Sequence, residues 1–225
     1  MSVIEIDNLS KSYGGNTVLE DLSFEMEENS ITGLIGPNGA GKSTTVQILT
    51  GQIQRDKGKV EVLGRDPWDD PVELRKHLGV LPEREDPPSF LTGNEYLQYI
   101  ADIRDTEIVK QKWIERFNLE GKMDKPTKEL SKGERQKLMI IQAFFHEPEL
   151  VFIDEPLINL DPFIQEEAKK LFKEYAENTG SIFLCTHLLD LAEEMCDNVL
   201  FLDDGRIQEN ISEVENLKKH LFATQ

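Results

Sequence analysis

With 225 residues, 38% of them hydrophobic and 8% aromatic, the chain is long enough for one large domain or two small ones with a well-buried core. Its 43 Asp and Glu outweigh 25 Lys and Arg, and the resulting net charge of −18 disfavours nucleic-acid backbones and anionic lipid headgroups as partners. No stretch approaches the roughly 20 apolar residues of a membrane span, and the acidic start Met1–Asp7 reads as neither signal nor transit peptide, so a cytoplasmic protein is expected.

Val3 to Leu9 and Val18 to Met26 alternate apolar and polar residues, the pattern of strands with one wet face, and Gly14-Gly15-Asn16 is the turn between them. A third such strand is Lys59 to Leu63, bracketed by Gly58 and Gly64. The N-terminal part is therefore expected to be largely antiparallel, wrapped around the apolar run Ile31–Ile35. That run feeds Gly36-Pro37-Asn38-Gly39-Ala40-Gly41-Lys42-Ser43-Thr44, which fits G-x-x-x-x-G-K-[ST] and precedes a helix body, Thr45 to Leu49. Strand, glycine-rich loop and helix is the context in which this pattern builds a phosphate site. The glycines let several N–H groups point at one anion, and the helix aims its positive end there. Lys42 adds a point charge for the β- and γ-phosphates, and Ser43 a hydroxyl ligand for Mg2+.

Pro71 to Lys76 reads as a short helix, His77 to Leu81 as a core strand, and Pro82 to Pro88, with four charged residues and three prolines, as a loop. Thr92 and Glu95 form a capping box opening a helix that carries Tyr96, Leu97, Tyr99, Ile100 and Ile103. A second helix is expected over Thr106 to Asn118, with Ile108, Trp113, Ile114 and Phe117 on one stripe, and a third from the cap Ser131 to about Phe145. This strand-free central third reads as a helical subdomain inserted into an α/β core. The last third alternates: strand Leu150–Ile153, helix Pro162 to about Asn178, strand Ser181–Thr186, helix Leu188–Cys196, strand Asn198–Leu202. Asp203-Asp204-Gly205 is a hairpin turn to Arg206-Ile207, and Ser212 caps a final amphipathic helix with Val214, Leu217, Leu221 and Phe222. Cys185 and Cys196 make no metal spacing, and Cys185 lies in an apolar run that favours a buried thiol.

Leu150–Ile153 is wholly apolar, as in a buried parallel strand, and two carboxylates follow it. Asp154 is placed to help hold Mg2+. Glu155, next in the chain, is expected to project to the other side and to polarise an attacking water as general base.

In these motifs the chain resembles the nucleotide-binding subunit of the ATP-binding cassette (ABC) family, over nearly its whole length. Gly79-Val80-Leu81-Pro82-Glu83 is similar to that family's Q-loop, Leu130-Ser131-Lys132-Gly133-Glu134 to its signature motif, Asn159-Leu160-Asp161 to its D-loop and His187 to its switch histidine. Tyr13 stands where the family stacks an aromatic on adenine, and Val18 where an apolar side chain supports it. The resemblance implies one α/β domain over 1–225, a P-loop NTPase core with a mostly parallel sheet. It adds an N-terminal antiparallel β-subdomain and a helical subdomain inserted over approximately 83–146. It implies ATP and Mg2+ as cofactors, with Ser43, Glu83 and Asp154 toward the metal and Glu155, His187 and Lys42 acting on the γ-phosphate. Ser131, Gly133 and Glu134 then face ATP bound to a second cassette, in a head-to-tail homodimer or heterodimer closed on two ATP. A separate integral-membrane permease would hold the pair on the cytoplasmic face of the membrane and dock on the segment from Glu83 to about Asn118.

Three positions depart from the family pattern. Lys132 replaces the first signature glycine, Glu134 the closing glutamine, and Glu83 the glutamine that names the Q-loop. Lys42, Ser43, Asp154, Glu155 and His187 are all present, so activity is expected to survive, and the signature variant leans toward an exporter-type system. The alternative is a non-transport cassette handling nucleic acid or ribosomes. The one basic run for it, Lys122, Lys125, Lys128, Lys132, Arg135 and Lys137, is interleaved with Asp124, Glu129 and Glu134.

Overall fold

The computed structural model describes residues 1–83, 86–107, 111–155, 161–212, 214, 215 and 217. Among these residues the strands form two sheets. The first is antiparallel, in the order β2 (Asn16–Glu27), β1 (Ser2–Tyr13), β4 (Lys57–Val62). The second runs β5 (Leu78–Leu81), β6 (Leu150–Asp154), β7 (Ser181–Thr186), β3 (Ile31–Ile35), β8 (Asn198–Asp203), β9 (Arg206–Ile211). All neighbours in it are parallel except β8 and β9, which form a hairpin.

The burial patterns show why. Every residue of β3 and of β7 is buried, and their apolar runs suit a strand covered on both faces. Leu34, Phe152, Phe183 and Leu200 face a core shared with Ile4, Ile6, Leu22 and Phe24 of the antiparallel sheet and with Val46, Ile48 and Leu49 of α1 (Lys42–Leu49). Phe24 stacks on Phe183 across that layer at 5.9 Å. Ile31, Ile35, Val151, Ile153 and Leu184 face the opposite core. The strand ahead of the phosphate loop is thus not enclosed by the antiparallel strands, contrary to the sequence expectation. It is an interior strand of its own sheet, because its residues are apolar on both faces.

The other face is covered by α5 (Lys132–Phe144), α6 (Pro162–Asn178) and α7 (Leu189–Met195). Between the paired strands β5 and β6 the chain makes α3 (Gly93–Arg104), α4 (Gln111–Arg116), a 3-10 turn at Thr127–Glu129 and α5. The helix expected over Thr106–Asn118 is shorter than the sequence suggested. Asp105 turns left-handed at φ 53 and Thr106 N–H returns to Ala101 O at 3.1 Å, so Thr106 finishes α3 instead of starting a new helix. Asn118, also left-handed at φ 53, closes α4. Ile108 lies outside the described residues. The first turn is tighter than read: Gly14 and Gly15 have φ 57 and 87, and Asn16 already belongs to β2. α2 (Pro71–Lys76), α6 and β7 have the expected bounds. At the C-terminal end Val214 and Leu217 are buried in the core, while Leu221 and Phe222 lie outside the described residues.

Candidate nucleotide site

The phosphate loop bridges β3 and α1. Gly36 has no room for a side chain: a Cβ there would lie 2.0 Å from Leu202 O of β8. Gly41, the residue before α1, has φ 113, a conformation that only glycine adopts without strain. The Lys42 ammonium is buried and donates to Gly36 O at 2.8 Å and Pro37 O at 3.1 Å, so it caps the loop from above its own carbonyls. Ser43 Oγ donates to Asp154 Oδ2 at 3.0 Å, tying the first turn of α1 to the tip of β6.

Asp154, Glu155 and Glu83 all reach the same cleft. Burial pushes the Asp154 carboxyl above the usual range, the neighbouring charges of Glu155 and Glu83 add to that, and Ser43 and Lys42 oppose it. Glu155 does not project away from Asp154, as strand alternation would have it. The strand ends there: Glu155 is left-handed at φ 48, and its N–H donates to Cys185 O of β7 at 2.9 Å. The turn brings its carboxylate back into the cleft and leaves it nearly buried. Oε2 accepts from Thr186 Oγ1 at 3.0 Å, and Oε1 accepts from His187 N–H at 2.8 Å and faces His187 Nδ1 at 2.6 Å. Thr186 was not singled out by the sequence. Its hydroxyl also accepts Leu188 N–H at 3.1 Å, so it is locked between β7 and the loop behind it. Only the pairing of β6 with β7 could have revealed this.

The cleft holds about 390 Å3. Tyr13 and Val18 line it with Asn38, Gly39 and Gly41 to Thr44 of the loop and the three carboxylates. Gly36, Pro37 and Ala40 shape the loop without lining the cleft. The oxygen donors Ser43, Glu83 and Asp154 are of the hard type that Mg2+ takes. Among the described residues no three acidic, His or Cys side chains converge closely enough to hold a metal by themselves. A cation there would complete its shell with substrate phosphates and water, which is how Mg2+ is commonly held.

Ser131, Gly133 and Glu134 do not line this cleft. They form the start of α5 as a full capping box: Ser131 Oγ accepts Glu134 N–H at 3.2 Å, and Glu134 Oε2 accepts Ser131 N–H at 2.8 Å. Lys122 reaches Glu134 Oε1 at 3.1 Å. The Ser131 N–H first and Lys122 second hold the Glu134 carboxyl below its ordinary range. Of the amides that a helix start leaves without an intrahelical partner, those of Lys132 and Gly133 remain for a group outside the box. Asp161 caps α6 through Phe163 N–H at 2.9 Å, and Asn159 and Leu160 lie outside the described residues. Half of the basic run is committed inside the fold. Besides Lys122, Arg135 pairs with Asp86 at 3.0 Å and Lys137 donates to Phe117 O at 2.9 Å.

The family model for ABC transporters matches residues 19–158. The ABC-type transporter ATP-binding protein EcsA of Bacillus subtilis (strain 168) is 34% identical to this chain, over 92% of the chain and 86% of EcsA. The Nod factor export ATP-binding protein I of Rhizobium etli is 33% identical, over 92% of the chain and 67% of its own length. A solved ATP-binding subunit of an ABC transporter superposes with a TM-score of 0.89 at 30% identity, over 98% of this chain and 93% of that one. The chain belongs to the ABC transporter family, as an ATP-binding subunit.

Proposed function

We propose that the whole chain, 1–225, is one cassette that binds ATP with Mg2+ and hydrolyses it, with residues 83–146 as its inserted helical part. The observation that carries this reading is the convergence of the phosphate loop, Asp154 and the clamped Glu155 on one cleft. In this reading the loop amides and Lys42 hold the phosphate tail, Tyr13 and Val18 take the adenine, and Ser43, Asp154 and Glu83 hold the metal. Mg2+ when bound supplies positive charge that offsets the charge developing on the phosphates. Glu155 orients and deprotonates the attacking water, and His187 fixes the Glu155 carboxylate while reaching toward the γ-phosphate. Thr186 keeps the carboxylate from swinging away.

The reading extends to a pair of cassettes. The free amides at the start of α5 sit outside the cleft of their own chain, so their anion would be a phosphate tail held by a partner copy, head to tail. Relatives bear the names of transporter ATP-binding proteins, and no described helix is long and apolar enough to cross a membrane. Closure of the pair is therefore read as driving a separate membrane-spanning subunit, against which the cassette sits on the cytoplasmic face. The commitment of Lys122, Arg135 and Lys137 inside the fold weighs against the nucleic-acid alternative.

Two measurements test this. Asp154→Asn should raise the Mg2+ concentration for half-maximal phosphate release by about 10- to 100-fold, and chelation should abolish release in the parent. Unchanged magnesium dependence in the variant would remove Asp154 from the metal. The acidic segment after β5 is read as meeting the Lys- and Arg-rich cytoplasmic loops of the membrane subunit. Asp86 is exposed there and bonded to Arg135, and Glu85 lies outside the described residues. Reversing both charges should lower co-purification with the membrane subunit, and undiminished recovery would count against this docking surface.

A further inference from the structure

β1 outlasts its pairing with β4. The pairing ends at Ser10↔Lys57, yet β1 continues to Tyr13, supported on its other edge by β2 as far as Tyr13↔Asn16. Past that pair no residue of β4 lies opposite β1, and the Ser12 N–H has no strand partner on that side. Asp56, immediately before β4, serves this end of the strand from one residue. Its N–H donates to Ser10 O at 3.0 Å and its Oδ2 accepts Ser12 N–H at 2.7 Å. Its Oδ1 takes Lys11 Nζ at 2.9 Å. The Lys11 ammonium, on a side chain only 14% exposed, lies over the Tyr13 ring, 5.2 Å from its centroid. Lys11 and the Ser12 amide hold the Asp56 carboxyl below its ordinary range, so it is ionised at neutral pH. Tyr13 itself stays 46% exposed and lines the nucleotide cleft.

We propose that Asp56 is a positioning residue for the nucleotide base: through Ser12 it fixes the last residues of β1, and through Lys11 it fixes the Tyr13 ring. A cation over one face of an aromatic ring favours one ring orientation. The ring is then presented to adenine already set, and its ordering cost is met in the free protein. Asp56 does not line the cleft, and its effect passes through Tyr13. The inference rests on the reading that Tyr13 stacks on adenine.

The test compares Mg-ATP with Mg-tripolyphosphate, which has the phosphate tail and no base, by titration calorimetry on the full chain. Tyr13→Ala should weaken Mg-ATP binding about tenfold and leave tripolyphosphate unchanged. Asp56→Ala should produce most of the same loss, again for ATP alone, and Tyr13→Ala/Asp56→Ala should bind no more weakly than Tyr13→Ala. Asp56→Asn keeps an oxygen for Ser12 but loses the ion pair, so it should fall between parent and Asp56→Ala. If Tyr13→Ala weakens ATP binding and Asp56→Ala and Asp56→Asn do not, the inference fails while the base-stacking reading stands. Equal loss for ATP and tripolyphosphate in the Asp56 variants makes Asp56 a general structural residue and overturns the inference. If Tyr13→Ala has no effect, the stacking reading fails and the inference with it.

Discussion

Glu155→Gln is expected to abolish ATP hydrolysis while leaving ATP binding intact. The side chain is nearly isosteric and its surroundings tolerate the change. The amide oxygen can still accept His187 N–H, and the NH2 can donate to Thr186 Oγ1, which would then turn its own proton elsewhere. What is lost is basicity at the carboxylate proposed to act on the attacking water. Removing a general base costs about 10²- to 10⁴-fold in rate, so steady-state phosphate release should fall by that order. Nucleotide titration should give a dissociation constant close to the parent's, because the loop, Lys42 and Tyr13 are untouched. Parent-like turnover in the variant would sink the assignment of Glu155. The same protein reports on the pairing of cassettes: with Mg-ATP it should elute as a dimer that the parent, which clears its ATP, does not accumulate. A variant that binds ATP and remains monomeric at high concentration would contradict head-to-tail closure.

Gly36→Ala should be strongly damaging to both stability and nucleotide binding. Its Cβ would lie 2.0 Å from Leu202 O, a backbone atom of β8 that is held in the sheet by the pairing of Ile35 with Phe201. No rotamer relieves a clash with backbone, so the strands must part or the loop must shift. Overpacking of this kind costs about 3 kcal/mol or more, and a shifted loop no longer aims its amides at one anion. Thermal melting should drop by several degrees, and Mg-ATP should no longer stabilise the protein. Gly14→Ala is the comparison: nothing lies within 4 Å of its Cβ, and the cost is only that of a left-handed φ of 57, about 1 kcal/mol. If both variants melt alike and both bind ATP, close approach of β8 is not what requires Gly36.

Several features were legible one residue at a time. The apolar runs Ile31–Ile35, Leu150–Ile153 and Ser181–Thr186 became the interior parallel strands, and Thr92 with Glu95 and Ser131 with Glu134 became helix caps. Each is a local signal, set by burial on two faces or by a side chain reaching its own backbone. The helix expected from Thr106 does not start there because Thr106 serves the end of the preceding helix, a choice made by the left-handed Asp105. The departure at Glu134 also changes meaning. Its carboxylate is occupied by Ser131 N–H and Lys122, so the extra negative charge at the signature segment is largely compensated within the chain.

The sequence by itself determined that there is a phosphate loop, which strands are buried, and in what order the motifs come. These follow from spacing along one chain. Tertiary structure decided which carboxylates share the cleft. Asp154 meets Ser43, and Glu155 meets Thr186 and His187, only because β6 lies beside β7 and β7 beside β3. Strand alternation alone would have sent Glu155 away. A left-handed turn stabilised by Cys185 O brings it back, and Asp56 closes the end of β1 in the same non-local way. Contacts between residues tens or a hundred positions apart have no local periodicity to announce them, and they are the ones that assemble the site.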